Sequence, residues 1–104
     1  MSYNLSIKAP NVIEVYDGNL TWNISEMLQV AFEHEDHIKR LNGMKCVDAK
    51  PIVQKAYVRL LLNEEKYEQY NAPNGWGTYE DTVEYIGEFY QAILNNLDGR
   101  VFVE

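Results

Sequence analysis

The densest grouping of potential ligands and bases is Glu33-His34-Glu35-Asp36-His37, which sets two imidazoles at i and i+3 among three carboxylates. On a helix that spacing brings both rings to one face, within reach of a common cation. A zinc site wants three or four held donors, and the zinc-protease helix wants its histidines at i and i+4 around a glutamate, a frame this stretch does not match. As general bases, His34 and His37 have no nucleophile or oxyanion donor nearby in sequence. The stretch is read instead as an exposed polar face late in a helix, and no catalytic residue, metal or other cofactor is expected. Cys46, the single cysteine, has no paired histidine or second thiol in its vicinity and reads as a small buried or half-buried side chain.

A second distinctive stretch is Tyr67-Glu-Gln-Tyr-Asn-Ala-Pro-Asn-Gly-Trp-Gly-Thr-Tyr79. Pro73, Asn74, Gly75 and Gly77 enforce turns around Trp76, a side chain costly to leave in water. Two uses follow. The tryptophan can fold back on Tyr67, Tyr70 or a neighbouring sheet and lock the start of the next helix, or it can serve as an aromatic anchor for a partner or a planar ligand. The loop has neither the lysine of a phosphate-binding P-loop nor the glycine spacing of a dinucleotide fingerprint. Eight tyrosines are many for 104 residues. Tyr57 and Tyr90 fit core packing, whereas Tyr67, Tyr70, Tyr79 and Tyr85 flank an acidic segment and are candidates for a contact surface.

Charge is distributed unevenly. The net charge is −7, yet residues 1–63 are balanced, and Glu64, Glu65, Glu68, Glu80, Asp81, Glu84 and Glu88 face only Lys66 between residues 64 and 88. One quarter of the chain therefore generates nearly all of the negative field, which suggests a sided molecule. A solvated helix face kept soluble by carboxylates is the competing explanation. An acidic balance disfavours direct nucleic-acid binding and anionic membrane surfaces, since both need a cationic footprint.

These groups have to be positioned by a single small domain spanning residues 1–104, for 46% hydrophobic and 24% charged residues is ordinary globular composition. No apolar run approaches the roughly 20 residues that span a bilayer. The first ten residues lack a basic, then apolar leader pattern, so a cytoplasmic location is expected. Asp17-Gly18 predicts a two-residue hairpin turn within Val12–Asn23, with Ile13, Val15, Leu20 and Trp22 on its apolar face. Tyr3, Leu5 and Ile7 alternate with polar residues and predict a strand ending near Pro10; Val101-Phe102-Val103 predicts another.

Three helices are expected between them. Asn23 with Glu26 has the form of a capping box opening a first helix, with Ile24, Met27, Leu28, Ala31 and Phe32 as its stripe; it either continues through Ile38 and Leu41 to Gly43 or breaks near the histidines. Asp48 is placed to cap a second, with Ala49, Ile52, Val53, Ala56, Tyr57, Leu60 and Leu61 inward and Pro51 in its first turn. Thr78 caps a third, with Val83, Ile86, Phe89, Tyr90, Ile93 and Leu97 inward. The expected fold is α+β: three helices on one face of a small antiparallel sheet made of the hairpin and the terminal strands.

At Thr21-Trp22-Asn23-Ile24-Ser25, and again at Asn74-Gly75-Trp76-Gly77-Thr78-Tyr79-Glu80, the chain resembles a group of short uncharacterised proteins from bacteria and their phages, over roughly Leu20 to Leu97. No activity or site residue follows from that resemblance. It implies a context in which small acidic proteins occupy a host protein's surface. The expected function is a non-enzymatic interaction module that binds a basic surface on a host protein, as an inhibitor competing with nucleic acid. Its contact residues are expected to be Tyr67, Tyr70, Trp76, Tyr79, Glu80, Asp81, Glu84, Tyr85 and Glu88. The alternative is a small-molecule binder with an aromatic pocket around Trp76. Homodimerisation is compatible with so small a sheet-bearing domain.

Overall fold

A computed structural model of the chain, which describes residues 2–11, 13–71, 75 and 77–104, places four helices between a pair of N-terminal strands and a third strand at the other end. β1 (Ser2–Lys8) and β2 (Glu14–Thr21) come first, then a 3-10 turn (Trp22–Ile24), α1 (Ser25–Phe32) and a second 3-10 turn (His37–Leu41). α2 (Cys46–Leu62), α3 (Glu64–Glu68), α4 (Tyr79–Asn95) and β3 (Arg100–Val103) complete the chain. The sheet is antiparallel in the order β2-β1-β3, and the α+β class expected from the sequence is the one adopted. Among the described residues no helix is long and apolar enough to cross a membrane.

The period-2 pattern of β1 is realised directly. Tyr3, Leu5 and Ile7 are buried against the helices, while Asn4 is exposed and Ser6 and Lys8 are half-exposed on the other face. Val101 of β3 joins the buried face opposite Ile7.

The hairpin at Asp17-Gly18 does not form. β2 runs unbroken through both residues, with Gly18 opposite Leu5 and Asp17 opposite Ser6, and the chain instead reverses between Ala9 and Ile13, where the Ala9 N–H donates to the Ile13 carbonyl at 2.9 Å. The physical reason is pairing length. A hairpin closed at Asp17-Gly18 would match four residues with four, whereas β1 offers a longer partner whose apolar alternation is already correct. Gly18 serves a different purpose, because a Cβ there would lie 2.5 Å from the Tyr16 hydroxyl; its absence lets the Tyr16 ring lie along the strand.

The change of register reverses the expected face. Ile13 and Val15 are 60% and 43% exposed, Leu20 is buried as expected, and Tyr16 packs inward on Phe89 with ring centroids 5.8 Å apart. Val15 is the residue left over where the register shifts from Ile7↔Tyr16 to Lys8↔Glu14, a bulge that turns it outward. The side chain of Trp22, assigned to the same face, lies outside the described residues, as does Val12. A paired substitution checks this register: Val15→Ser should cost less than about 0.5 kcal/mol in urea unfolding, and Tyr16→Ser about 2 kcal/mol. The reverse order would restore the hairpin register.

The helices follow their apolar stripes, with corrected ends. The Asn23/Glu26 capping box is not made. Residues 22–24 form a 3-10 turn, α1 starts after Ile24 without a side-chain cap, and the Asn23 N–H donates to Thr21 Oγ1 at 3.4 Å. Of the two courses open to the first helix, the break is the one taken, at Glu33, whose φ of 52° closes α1. Arg59 clamps that end from α2, donating to the Ala31 carbonyl at 2.8 Å and pairing with the Glu33 carboxylate at 2.8 Å. α2 begins at Cys46, so Asp48 lies within its first turn rather than capping it, and Pro51 falls in the second turn. Ala49, Val53, Ala56 and Leu60 are fully buried, but Leu61 points to solvent, as does Leu97 beyond α4. Thr78 does cap α4, its hydroxyl accepting from the Asp81 N–H at 3.2 Å.

Candidate functional site

The acidic segment is built from two helices rather than one. α3, a single turn with no clear periodicity of its own, carries Glu64, Glu65 and Glu68 on its exposed side. α4 carries Glu80, Glu84 and Glu88 at successive four-residue steps, all exposed, with Asp81 half-exposed beside the first of them. The Tyr79 hydroxyl donates to the Leu60 carbonyl at 2.6 Å and so ties the start of α4 to the end of α2, just before α3. Glu64 and Glu68 lie close enough to Tyr79 to help push its phenol pKa up, behind the larger effect of burial. At the other end of the row, Glu88 and Asp17 do the same to Tyr16, again after burial. The carboxylates therefore form a belt from α3 along α4 to the β2 strand. Among the described residues the ion pair is Arg59–Glu33, so none of the seven acids between residues 64 and 88 is neutralised by a neighbouring cation.

The tyrosines divide into two groups. Tyr67 is 1% and Tyr79 is 7% exposed; the two rings stack with centroids 6.5 Å apart, and both leave the expected contact surface for the core. The position of Tyr79 follows from the connection, since its N–H donates to the Asn71 side-chain oxygen at 2.6 Å and its hydroxyl finds a backbone partner. A phenol buried with its hydroxyl satisfied contributes a full ring of apolar area to folding, not to a partner. Tyr70 and Tyr85 are half-buried against the core and retain an accessible edge. Trp76 and residues 72–74, the centre of the expected aromatic loop, lie outside the described residues.

The loop is nevertheless tied down at Gly77. Its φ is +84°, and a Cβ there would fall 2.8 Å from Ile24 Cγ2 and 3.0 Å from Asn23 Cβ, so only glycine allows this approach. Gly77 thus meets Thr21, Asn23 and Ile24, residues of the two motifs singled out separately in the sequence, ahead of α1 and α4.

The histidines do not share a face. His34 is exposed, and its Nδ1 accepts from the Asp36 N–H at 3.0 Å, an arrangement that folds the turn. His37, in contrast, is buried, with Nε2 3.4 Å from the Tyr3 hydroxyl, its ring edge-on to Tyr3 and Nδ1 without a hydrogen-bond partner. The reading of both as one exposed helical face is therefore corrected: α1 ends at Glu33, before either histidine, and the i, i+3 geometry is lost. No group of three or more histidine, cysteine or carboxylate side chains converges to hold a metal ion among the described residues. Cys46 is fully buried; burial, then Asp98, pushes its thiol pKa up, which opposes formation of a nucleophilic thiolate.

Comparison of the chain with protein-family models, with curated proteins and with solved structures finds no match among them.

Proposed function

We propose that the protein is a non-enzymatic interaction module whose acidic α3–α4 belt docks on a basic surface of another protein, in the manner of a phage- or mobile-element-type inhibitor that occupies a nucleic-acid site. The observation that carries this reading is the row Glu80, Glu84 and Glu88, exposed on one face of α4 and without an ion pair among the described residues, with Glu64 and Glu68 of α3 near Tyr79 at its start. Such a row attracts a cationic surface and steers its approach, while Tyr70 and Tyr85 supply apolar contact beside it. Tyr67 and Tyr79 act from beneath by holding α3 against the start of α4.

The test is the triple reversal Glu80→Lys, Glu84→Lys, Glu88→Lys in an affinity pull-down from host lysate, followed by titration of the captured protein. The reversal keeps like charges at i, i+4 spacing and disturbs the helix dipole only at Glu80, so stability should change by less than about 1 kcal/mol. Partner affinity should fall about a hundredfold, mostly through the association rate, and wild-type binding should weaken with added salt and with competing duplex DNA. A partner held equally by wild type and reversal, without salt dependence, would remove the belt from the function.

A further inference from the structure

At the end of α2 opposite α3, we infer that a cationic groove binds a small organic anion, one carrying a carboxylate or phosphate on an apolar body. The groove measures about 590 Å³ and lies where the end of β1, the start of α2 and the turn from α4 into β3 meet. Lys8, Lys45 and Arg100 line it together with one acid, Asp98. In an acidic protein with nine basic residues, three of them converge here from segments far apart in sequence. None of these cations is ion-paired among the described residues.

The remaining wall is apolar. Val47 is 53% and Leu97 40% exposed, a cost that a bound apolar body would relieve, and Phe102 lies under Lys8 with the ammonium 5.0 Å from the ring centroid. The backbone around the groove is held in place: the Cys46 N–H donates to the Gly99 carbonyl at 2.9 Å, the Val101 N–H to the Met44 carbonyl at 2.8 Å, and the Arg100 guanidinium to the Gly43 carbonyl. A volume of this size falls within the range of small-molecule sites, and a pre-formed floor lowers the cost of binding.

Two arguments favour a small anion over a polymer. α2 and α4 run antiparallel, so the α3 carboxylates and Glu80 are separated from the groove by the length of α2, about 25 Å for its 17 residues, while the β2 end of the belt comes nearer, with Glu14 opposite Lys8 in the ladder. That is about three Debye lengths at physiological salt, so a small anion in the groove is shielded from the α3 end of the belt. A nucleic acid long enough to run past the groove would meet the belt directly.

The experiment is an amide-resolved NMR titration of the whole chain with phenyl phosphate, phenylacetate, inorganic phosphate and benzyl alcohol. Either aromatic anion should give saturable shifts at Lys8, Val47, Gly99 and Arg100, with affinity about tenfold above both inorganic phosphate and benzyl alcohol; the tighter of the two identifies the anionic group. The double variant Lys8→Gln, Lys45→Gln should weaken that binding at least about fivefold while leaving shifts elsewhere in the spectrum unchanged. Val47→Ser, at an exposed side chain, should weaken it through the apolar wall alone. Inorganic phosphate binding as tightly as phenyl phosphate, shifts spread over Lys39, Arg40 and Lys55, absence of saturation, or indifference to the variants would each overturn the assignment.

Discussion

Replacing Phe89 by alanine should lower stability by about 3–5 kcal/mol, a large share of the roughly 5–15 kcal/mol that holds a domain of this size together. Phe89 is fully buried at the middle of α4 and packs its ring on Tyr16 of β2, so it is the side chain that joins the longest acidic helix to the edge of the sheet. Truncation removes the transfer energy of the ring and leaves a cavity between two rigid elements that cannot close on it. The midpoint of thermal unfolding should fall by about 15–30 °C. Tyr90, one residue on, is half-buried beside Tyr57, and Tyr90→Ala should cost markedly less. Equal costs at the two positions would mean that α4 does not present the face described above.

His37 should make the fold acid-sensitive in a defined window. Burial lowers its pKa from 6.5 to about 4, Lys39 adds to the effect and Asp36 opposes it. The ring is 1% exposed and is neutral in the native state at neutral pH. As pH falls below 6.5 the unfolded chain takes up a proton that the folded chain refuses, so stability is full above 6.5 and declines until the folded histidine protonates near 4. The loss approaches about 3 kcal/mol, at up to about 1.4 kcal/mol per pH unit. Denaturant midpoints measured between neutral pH and the onset of carboxylate titration should show this slope in wild type. His37→Asn should abolish it, asparagine being tolerant of the positive φ of 34° at this position. A slope unchanged by the substitution would place the proton uptake elsewhere. The orphaned Nδ1 is consistent with a site tuned against charge, because a second buried donor there would have no acceptor.

What could be read from residue order alone was whatever depends on local periodicity and composition. The α+β class, the alternation of β1, the stripes of the two long helices, the Thr78 cap and the β3 strand each rest on neighbours within about a turn or a pleat, and the chain adopts them. The run of acids was equally visible, although bringing its α3 and α4 portions near one another needed the packing of Tyr67 on Tyr79 and the Tyr79–Leu60 hydrogen bond that sets the start of α4 at the end of α2.

Tertiary structure decided every question of competition between partners. Asp17-Gly18 is a strong local turn signal that lost to a longer pairing with β1, and with it the inward face of β2 passed from Val15 to Tyr16. His34 and His37 lost their common helical face because α1 ends ahead of both, at a break stabilised from α2 by Arg59, a residue far away in sequence. Tyr67 and Tyr79, indistinguishable by type from Tyr70 and Tyr85, were drawn into the core, where the two rings stack and the Tyr79 hydroxyl finds the Leu60 carbonyl. The groove of Lys8, Lys45 and Arg100 had no sequence signature, for its cations come from three separate elements and meet only when the sheet closes on the start of α2. Local order sets what each segment prefers; which preferences survive depends on the area and hydrogen bonds gained when distant segments meet.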